Sequence, residues 1–147
     1  MATTIYFATN RVVTNASDPN GGYTSIMVPP LKPQEITYGT AIIDGIDVAN
    51  NTQGFVSEIK DTKQGGFPNQ AIVSLTKGTD LLVFIHGFDN TFSDAMSRAA
   101  FNREWLAASG LPGTNTTVVA FSWPSSGRVA TRRLQRCALN AAVLVES

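Results

Sequence analysis

Leu81-Leu82-Val83-Phe84-Ile85-His86-Gly87-Phe88-Asp89-Asn90 sets the architecture of this chain. Leu81 to Ile85 are apolar without a break, and a His-Gly pair follows at once. An uninterrupted apolar run of this length suits a strand buried on both faces, as in a parallel sheet covered by helices. His86-Gly87 then falls at the carboxyl end of the strand, the edge of an open α/β sheet where ligands bind. A glycine at that edge permits a sharp turn and a close approach of substrate to main-chain N–H groups.

The segment after it carries helix signals at both ends. Thr91 and Asp94 form a Thr-x-x-Asp cap, in which the hydroxyl satisfies an exposed N–H and the acid favours the positive helix start. Ala95, Met96, Ala99 and Leu106 recur at helical spacing, and Trp105 is expected in the core beside them. Gly110 is placed as a left-handed stop, with Pro112 blocking continuation. Thr116–Ser122 is a further strand, ended by Trp123-Pro124, and Arg128–Val145 is helical in pattern. Leu134, Cys137, Ala138, Ala141 and Leu144 lie on one side of that last segment. Strand, capped helix, strand, helix is the rhythm of βαβ units with a parallel sheet.

The amino-terminal half reads differently. Thr4–Ala8 is β-branched and aromatic, a first strand. Asn15–Gly22 is a polar loop, and Pro29, Pro30 and Pro33 extend the irregular region. Ile36–Asp47 reads as a second strand limited by Gly39 and Gly45, with Asp44 and Asp47 suggesting a hairpin turn. Phe55–Ile59 is a short third strand, Lys60–Asn69 a polar connection, and Ala71–Leu75 either strand or a turn of helix. Strands without intervening helices pair antiparallel, so this half forms the edge of a mixed sheet.

The chain has 147 residues, enough for one domain, and residues 1–147 are read as one. Its 11 basic and 11 acidic side chains cancel, which gives no pull toward nucleic acid or an anionic membrane. Cys137 is the single cysteine, which excludes an internal disulfide and a cysteine-rich zinc site. There is no phosphate loop, no dinucleotide fingerprint and no metal-ligand spacing, so neither cofactor nor metal is expected. No apolar run spans a bilayer and no secretory signal opens the chain, so a cytoplasmic location is expected. Arg128, Arg132 and Arg136 share one helix face, which suits a solvated surface better than a phosphate site.

Serine-triad hydrolysis needs a nucleophile, a base and an acid that orients the base. His86 is the one histidine here, so it is the candidate base. Ser122 and Ser125 are the candidate nucleophiles, although no Gly-x-Ser-x-Gly elbow occurs. Trp123-Pro124-Ser125-Ser126-Gly127 is the nearest match, and its serine also suits a cap or loop hydroxyl. Asp89 is read as a solvated turn residue within reach of Arg98.

Four motifs occur in order: Tyr6-Phe-Ala-Thr-Asn-Arg11, Thr37-Tyr-Gly-Thr-Ala41, Leu82-Val-Phe-Ile-His-Gly-Phe-Asp-Asn90 and Phe121-Ser-Trp-Pro-Ser125. Together, over residues 3 to 127, they resemble a bacterial α/β-hydrolase family of mostly uncharacterised, esterase- or lipase-like proteins. The resemblance implies an α/β-hydrolase-like mixed sheet, with Leu81–Ile85 as its central strand. Gly87 and Phe88 would form the oxyanion hole, as strand–His-Gly–helix corners do in such enzymes. Asp89, Trp123 and Pro124 would line the pocket, and the substrate would be a small-molecule carboxylic ester. In that family the nucleophile elbow, acid and histidine come later than Ser147, which leaves the Leu81–Ile85 edge unpaired. An unpaired apolar edge invites self-association. A non-catalytic module that forms a homo-oligomer through that edge is therefore the rival expectation, and a flavodoxin-like binder a third.

Overall fold

The computed structural model describes residues 2–28, 35–67, 69, 72, 77, 80–110 and 116–125. Within them the chain forms a mixed five-stranded sheet, a two-stranded ribbon and one long helix. The strands are β1 (Thr3–Thr9), β2 (Arg11–Val13), β3 (Tyr23–Met27), β4 (Thr37–Asp47), β5 (Thr52–Gln64), β6 (Leu81–Ile85) and β7 (Thr117–Ser122). The helix α1 (Phe92–Ala108) connects β6 to β7. The sheet order is β5-β4-β1-β7-β6, and β2 pairs β3 in the separate ribbon.

The two halves pair as their patterns predict. β4 is antiparallel to both β1 and β5, whereas β7 is parallel to both β1 and β6. Alternation in β1 sends Ile5 and Phe7 to one face, where they meet Ala41 and Ile43 of β4 and Val118 and Ala120 of β7. The helix closes that face with Phe92, Ala95, Met96, Ala99 and Ala100. Small alanines let the helix axis approach the sheet without leaving voids. Phe92 stacks on Tyr23 at 3.8 Å between centroids and meets Phe7 edge-on at 5.0 Å, which ties the ribbon to the core.

The Thr91 cap forms as a full capping box. Thr91 Oγ1 accepts the Asp94 N–H, and the Asp94 carboxylate accepts the Thr91 N–H, both at 3.1 Å. Gly110 follows with φ +72°, the left-handed stop expected of it.

Several expectations are corrected. β6 is not buried on both faces: Leu82 and Phe84 pack against the core, while Leu81, Val83 and Ile85 are exposed. Nor is it central, since it stands at the edge of the sheet formed by the described residues, with only β7 beside it. Trp105 is half exposed rather than in the core, and the buried position next to it is Glu104, which accepts from Thr3 Oγ1 at 2.8 Å.

β4 runs through both Gly39 and Gly45, and β5 extends from Thr52 to Gln64, far beyond Phe55–Ile59. Pairing with β4 carries the polar residues along, because an edge strand needs only its backbone satisfied. The hairpin turn falls at residues 48–51. Gly54 sits at φ +76°, and a Cβ there would meet Asp44 O at 2.3 Å, so the close crossing of the two strands requires glycine. The expectations for Pro29, Pro30, Pro33, Ala71–Leu75 and Arg128–Val145 lie outside the described residues, wholly or in large part.

Candidate functional site

β1, β6 and β7 are mutually parallel in direction through β7, so their carboxyl ends meet at one edge of the sheet. His86, the first residue after β6, and Trp123, the first after β7, clasp each other there. Trp123 Nε1–H donates to His86 O at 2.8 Å, and the Trp123 backbone N–H donates to His86 Nε2 at 3.1 Å. The two rings stack at 5.1 Å with planes 4° apart.

This network fixes the imidazole tautomer. Nε2 accepts from Trp123, so the proton lies on Nδ1, which donates to Gly87 O at 2.7 Å. Ser122 Oγ lies 3.4 Å from the same Nε2. Burial lowers the His86 pKa below the ordinary imidazole value, and the Arg11 and Arg98 charges add to that. Hydrogen bonds with the Gly87 and Trp123 backbones oppose it in part. A lowered pKa favours the neutral imidazole near neutral pH, in keeping with the hydrogen bonds its two nitrogens make.

Arg11 occupies the centre of this edge and is 1% exposed. Its Nε donates to Ser122 Oγ at 2.9 Å. Nη1 donates to Thr24 O at 3.1 Å and Ser125 O at 3.0 Å, and Nη2 to Asn90 O at 3.0 Å. Burial brings its pKa down to about 10, although Asp94 pulls the other way. Asn90 completes the frame: its N–H donates to Ser125 Oγ at 3.3 Å, and Nδ2 donates to Gly87 O at 3.3 Å. Asn90 Oδ1 is buried with no partner.

The structure thus brings His86 and Ser122 into contact, but Ser122 is 0% exposed and already accepts from Arg11. Ser125 is also buried, and its recorded hydroxyl contact is with Asn90, not His86. Gly87, Phe88 and Asp89 form the exposed turn between these buried groups and α1. Gly87 has no left-handed φ, so no sharp turn demands it; a Cβ there would meet nothing within 4 Å. Phe88 is 69% exposed and meets Trp123 edge-on at 5.2 Å. Trp123 and Pro124 are half-buried at the rim.

Sequence reasoning missed Arg11 and Asn90 as site residues. Both stood at the ends of quoted motifs, but nothing in their local sequence marked them as site residues. An open polar depression of about 300 Å³ lies at the other end of the sheet, lined by Thr3, Thr4, Arg103 and Thr117 among others. It is remote from His86. No group of three or more potential metal ligands clusters among the described residues.

A family model described as alpha/beta hydrolase of unknown function (DUF900) matches residues 68–143, just over half of the chain. The chain belongs to this family. The matched range contains β6, the His86-Gly87-Phe88 turn, α1 and β7, which build the edge described above. It also runs past residue 127, so the segment that follows Ser125 is part of the family pattern. Tyr6–Arg11 and Thr37–Ala41 lie outside the matched range. No curated protein and no solved structure matches this hydrolase-family chain. Among its described residues no helix is long and apolar enough to cross a membrane.

Proposed function

We propose that this chain is a serine hydrolase of carboxylic esters, esterase- or lipase-like, in which the Gly87 and Phe88 backbone binds the substrate carbonyl. One observation carries the reading: an unobstructed glycine backbone sits beside a buried, neutral histidine at the carboxyl edge of parallel strands. Open space above Gly87 admits a substrate close to the main chain, and fixed N–H donors at such a place stabilise a developing oxyanion. Phe88 and Trp123 offer an apolar rim for the acyl or alcohol part, with Pro124 and Asp89 bordering it.

His86 and Ser122 have the separation of a loosely formed base–nucleophile pair. The complete burial of Ser122 favours a different role, in which the pair anchors the loop and the attacking serine of the proposed hydrolase is another residue, which the labelling below must find. Ser125, whose hydroxyl accepts from Asn90, takes a similar supporting part.

The test uses the full chain with short-chain aryl esters and a serine-directed phosphonate, followed by mapping of the labelled serine. Turnover with labelling supports the hydrolase, and a label on Ser122 would make that residue the nucleophile and overturn its anchoring role. Gly87→Ala should leave the melting temperature unchanged while lowering kcat/KM about tenfold or more, since the methyl group occupies the substrate's approach.

Neither turnover nor label would leave a second reading, a non-catalytic module that self-associates through its sheet edge. Its supporting observation is β6, which has a strand neighbour on one side only among the described residues and exposes Leu81, Val83 and Ile85.

A further inference from the structure

We propose that Arg11 is the positioning residue of the His86-Gly87-Phe88 loop, holding it through Ser122, Asn90 and Ser125. The inference rests on the reading of that loop as the acyl-binding element, but its principal test does not depend on turnover.

Four acceptors from three segments distant in sequence end on this one guanidinium. Thr24 belongs to β3, Asn90 follows the His-Gly turn, Ser122 ends β7 and Ser125 lies three residues beyond it. All four acceptors are neutral oxygens. A buried cation with neutral partners is a costly way to stabilise a fold, because no carboxylate among its acceptors repays the desolvation and the Asp94 charge offsets it only in part. What the planar fork supplies is direction: several donors in fixed geometry, which an ammonium group does not reproduce.

The direction of the hydrogen bonds links Arg11 to His86. Arg11 Nε–H donates to Ser122 Oγ, which leaves the hydroxyl hydrogen to point at His86 Nε2. The Trp123 N–H keeps that nitrogen an acceptor, so Nδ1 keeps its proton and holds Gly87 O, and the Ser122 hydroxyl adds a second, longer contact on Nε2. On the other side, the Arg11 Nη2 bond to Asn90 O fixes the residue whose Nδ2 holds the same Gly87 carbonyl. Both routes end on Gly87 O. Orientation of that peptide's neighbours decides where the Gly87 and Phe88 N–H groups aim.

The experiment is nuclear magnetic resonance of the labelled full chain. His86 is the single histidine, so its ring nitrogens give one unambiguous signal pair. The unsubstituted chain should show the Nδ1–H tautomer alone. Arg11→Lys keeps the charge and loses the fork. The Trp123 and Gly87 backbones still hold the tautomer, so the substitution should shift the Nε2 signal and move the Gly87, Phe88 and Asn90 amide signals, while those of Ile5 and Ala41 in the sheet stay in place.

If Arg11→Lys does not fold, Ser122→Ala removes both the acceptor of Arg11 Nε and the longer contact to His86 Nε2, and the same shifts of the Nε2 and loop amide signals are expected. Where ester turnover is present, Arg11→Lys should lower kcat about 100-fold with little change in KM, as misplaced groups do. A folded Arg11→Lys or Ser122→Ala chain with an unchanged imidazole and unmoved loop amides would overturn the proposal. Absence of turnover with the expected imidazole change would count against the hydrolase reading and not against Arg11 as the holder of the loop.

Discussion

The carboxyl end and the outer face of β6 are built on opposite principles. At the carboxyl end, His86 is locked by Trp123, Gly87 and Ser122, and Arg11 gathers the surrounding carbonyls out of reach of water. Along the outer face, Leu81, Val83 and Ile85 meet solvent, and Ile85 is 66% exposed although it directly precedes His86. The first region spends polar groups on buried order; the second leaves apolar groups uncovered. Burying polar groups is tolerated only when they are bonded, and exposing an apolar strand is tolerated only when something later covers or uses it. Both costs fall on one five-residue strand, which marks its carboxyl edge as the place where this fold departs from what stability alone would select.

The largest effect on stability is expected from breaking the buried end. Arg11→Met removes the donors of Ser122 Oγ and of three carbonyls, and those of Asn90 and Ser125 belong, like Ser122, to buried residues. A buried acceptor left unsatisfied costs about 1–3 kcal/mol, and several are left here. Denaturant unfolding should show it as a large fall in midpoint. A loss below about 1 kcal/mol would mean that the buried end is less demanding than its hydrogen bonds suggest.

A smaller effect is expected from pH. The folded protein holds the His86 pKa below the ordinary value of 6.5, through burial first and the Arg11 and Arg98 charges after it. As pH falls, the unfolded chain binds the proton before the folded one does. Stability is therefore unaffected by His86 well above pH 6.5 and declines as pH drops through that value toward the folded pKa. Melting temperatures measured between pH 8 and 5.5 should decline at the acidic end. His86→Gln should flatten that decline, even if its melting temperature at pH 8 is lower. An equal slope in both chains would assign the decline to carboxylates.

What the sequence disclosed follows the same division. Local patterns were legible: the apolar run ending in His-Gly, the Thr91–Asp94 box and the Gly110 stop are each written within a few residues. The length of β5 was not, because most of its side chains are exposed and leave no hydrophobic period to read. The exposure of one β6 face was also hidden, since a continuous apolar run looks the same whether one face or two are covered. Arg11 was illegible as a site residue for a different reason. Its role depends on partners up to 114 positions away, brought together only by the β1–β7 pairing. The His86–Ser122 contact was foreseen as a pairing of residue types, but the burial that argues for anchoring is a property of the folded edge.

The smallest effect on stability, and the sharpest test of the contrast, is expected on the outer face. Val83→Thr with Ile85→Thr keeps β-branching, and hence strand preference, while removing apolar surface. If these side chains face water as they stand, the double substitution should shift unfolding by no more than about 0.5–1 kcal/mol. If copies of the chain pair through the β6 edge, sedimentation equilibrium should show self-association that the double variant weakens. A loss of several kcal/mol in a monomeric chain would mean that the face is covered from within, and the division between the carboxyl end and the outer face of β6 would no longer hold. Little loss together with weaker self-association would make the outer face an interface between copies of the chain.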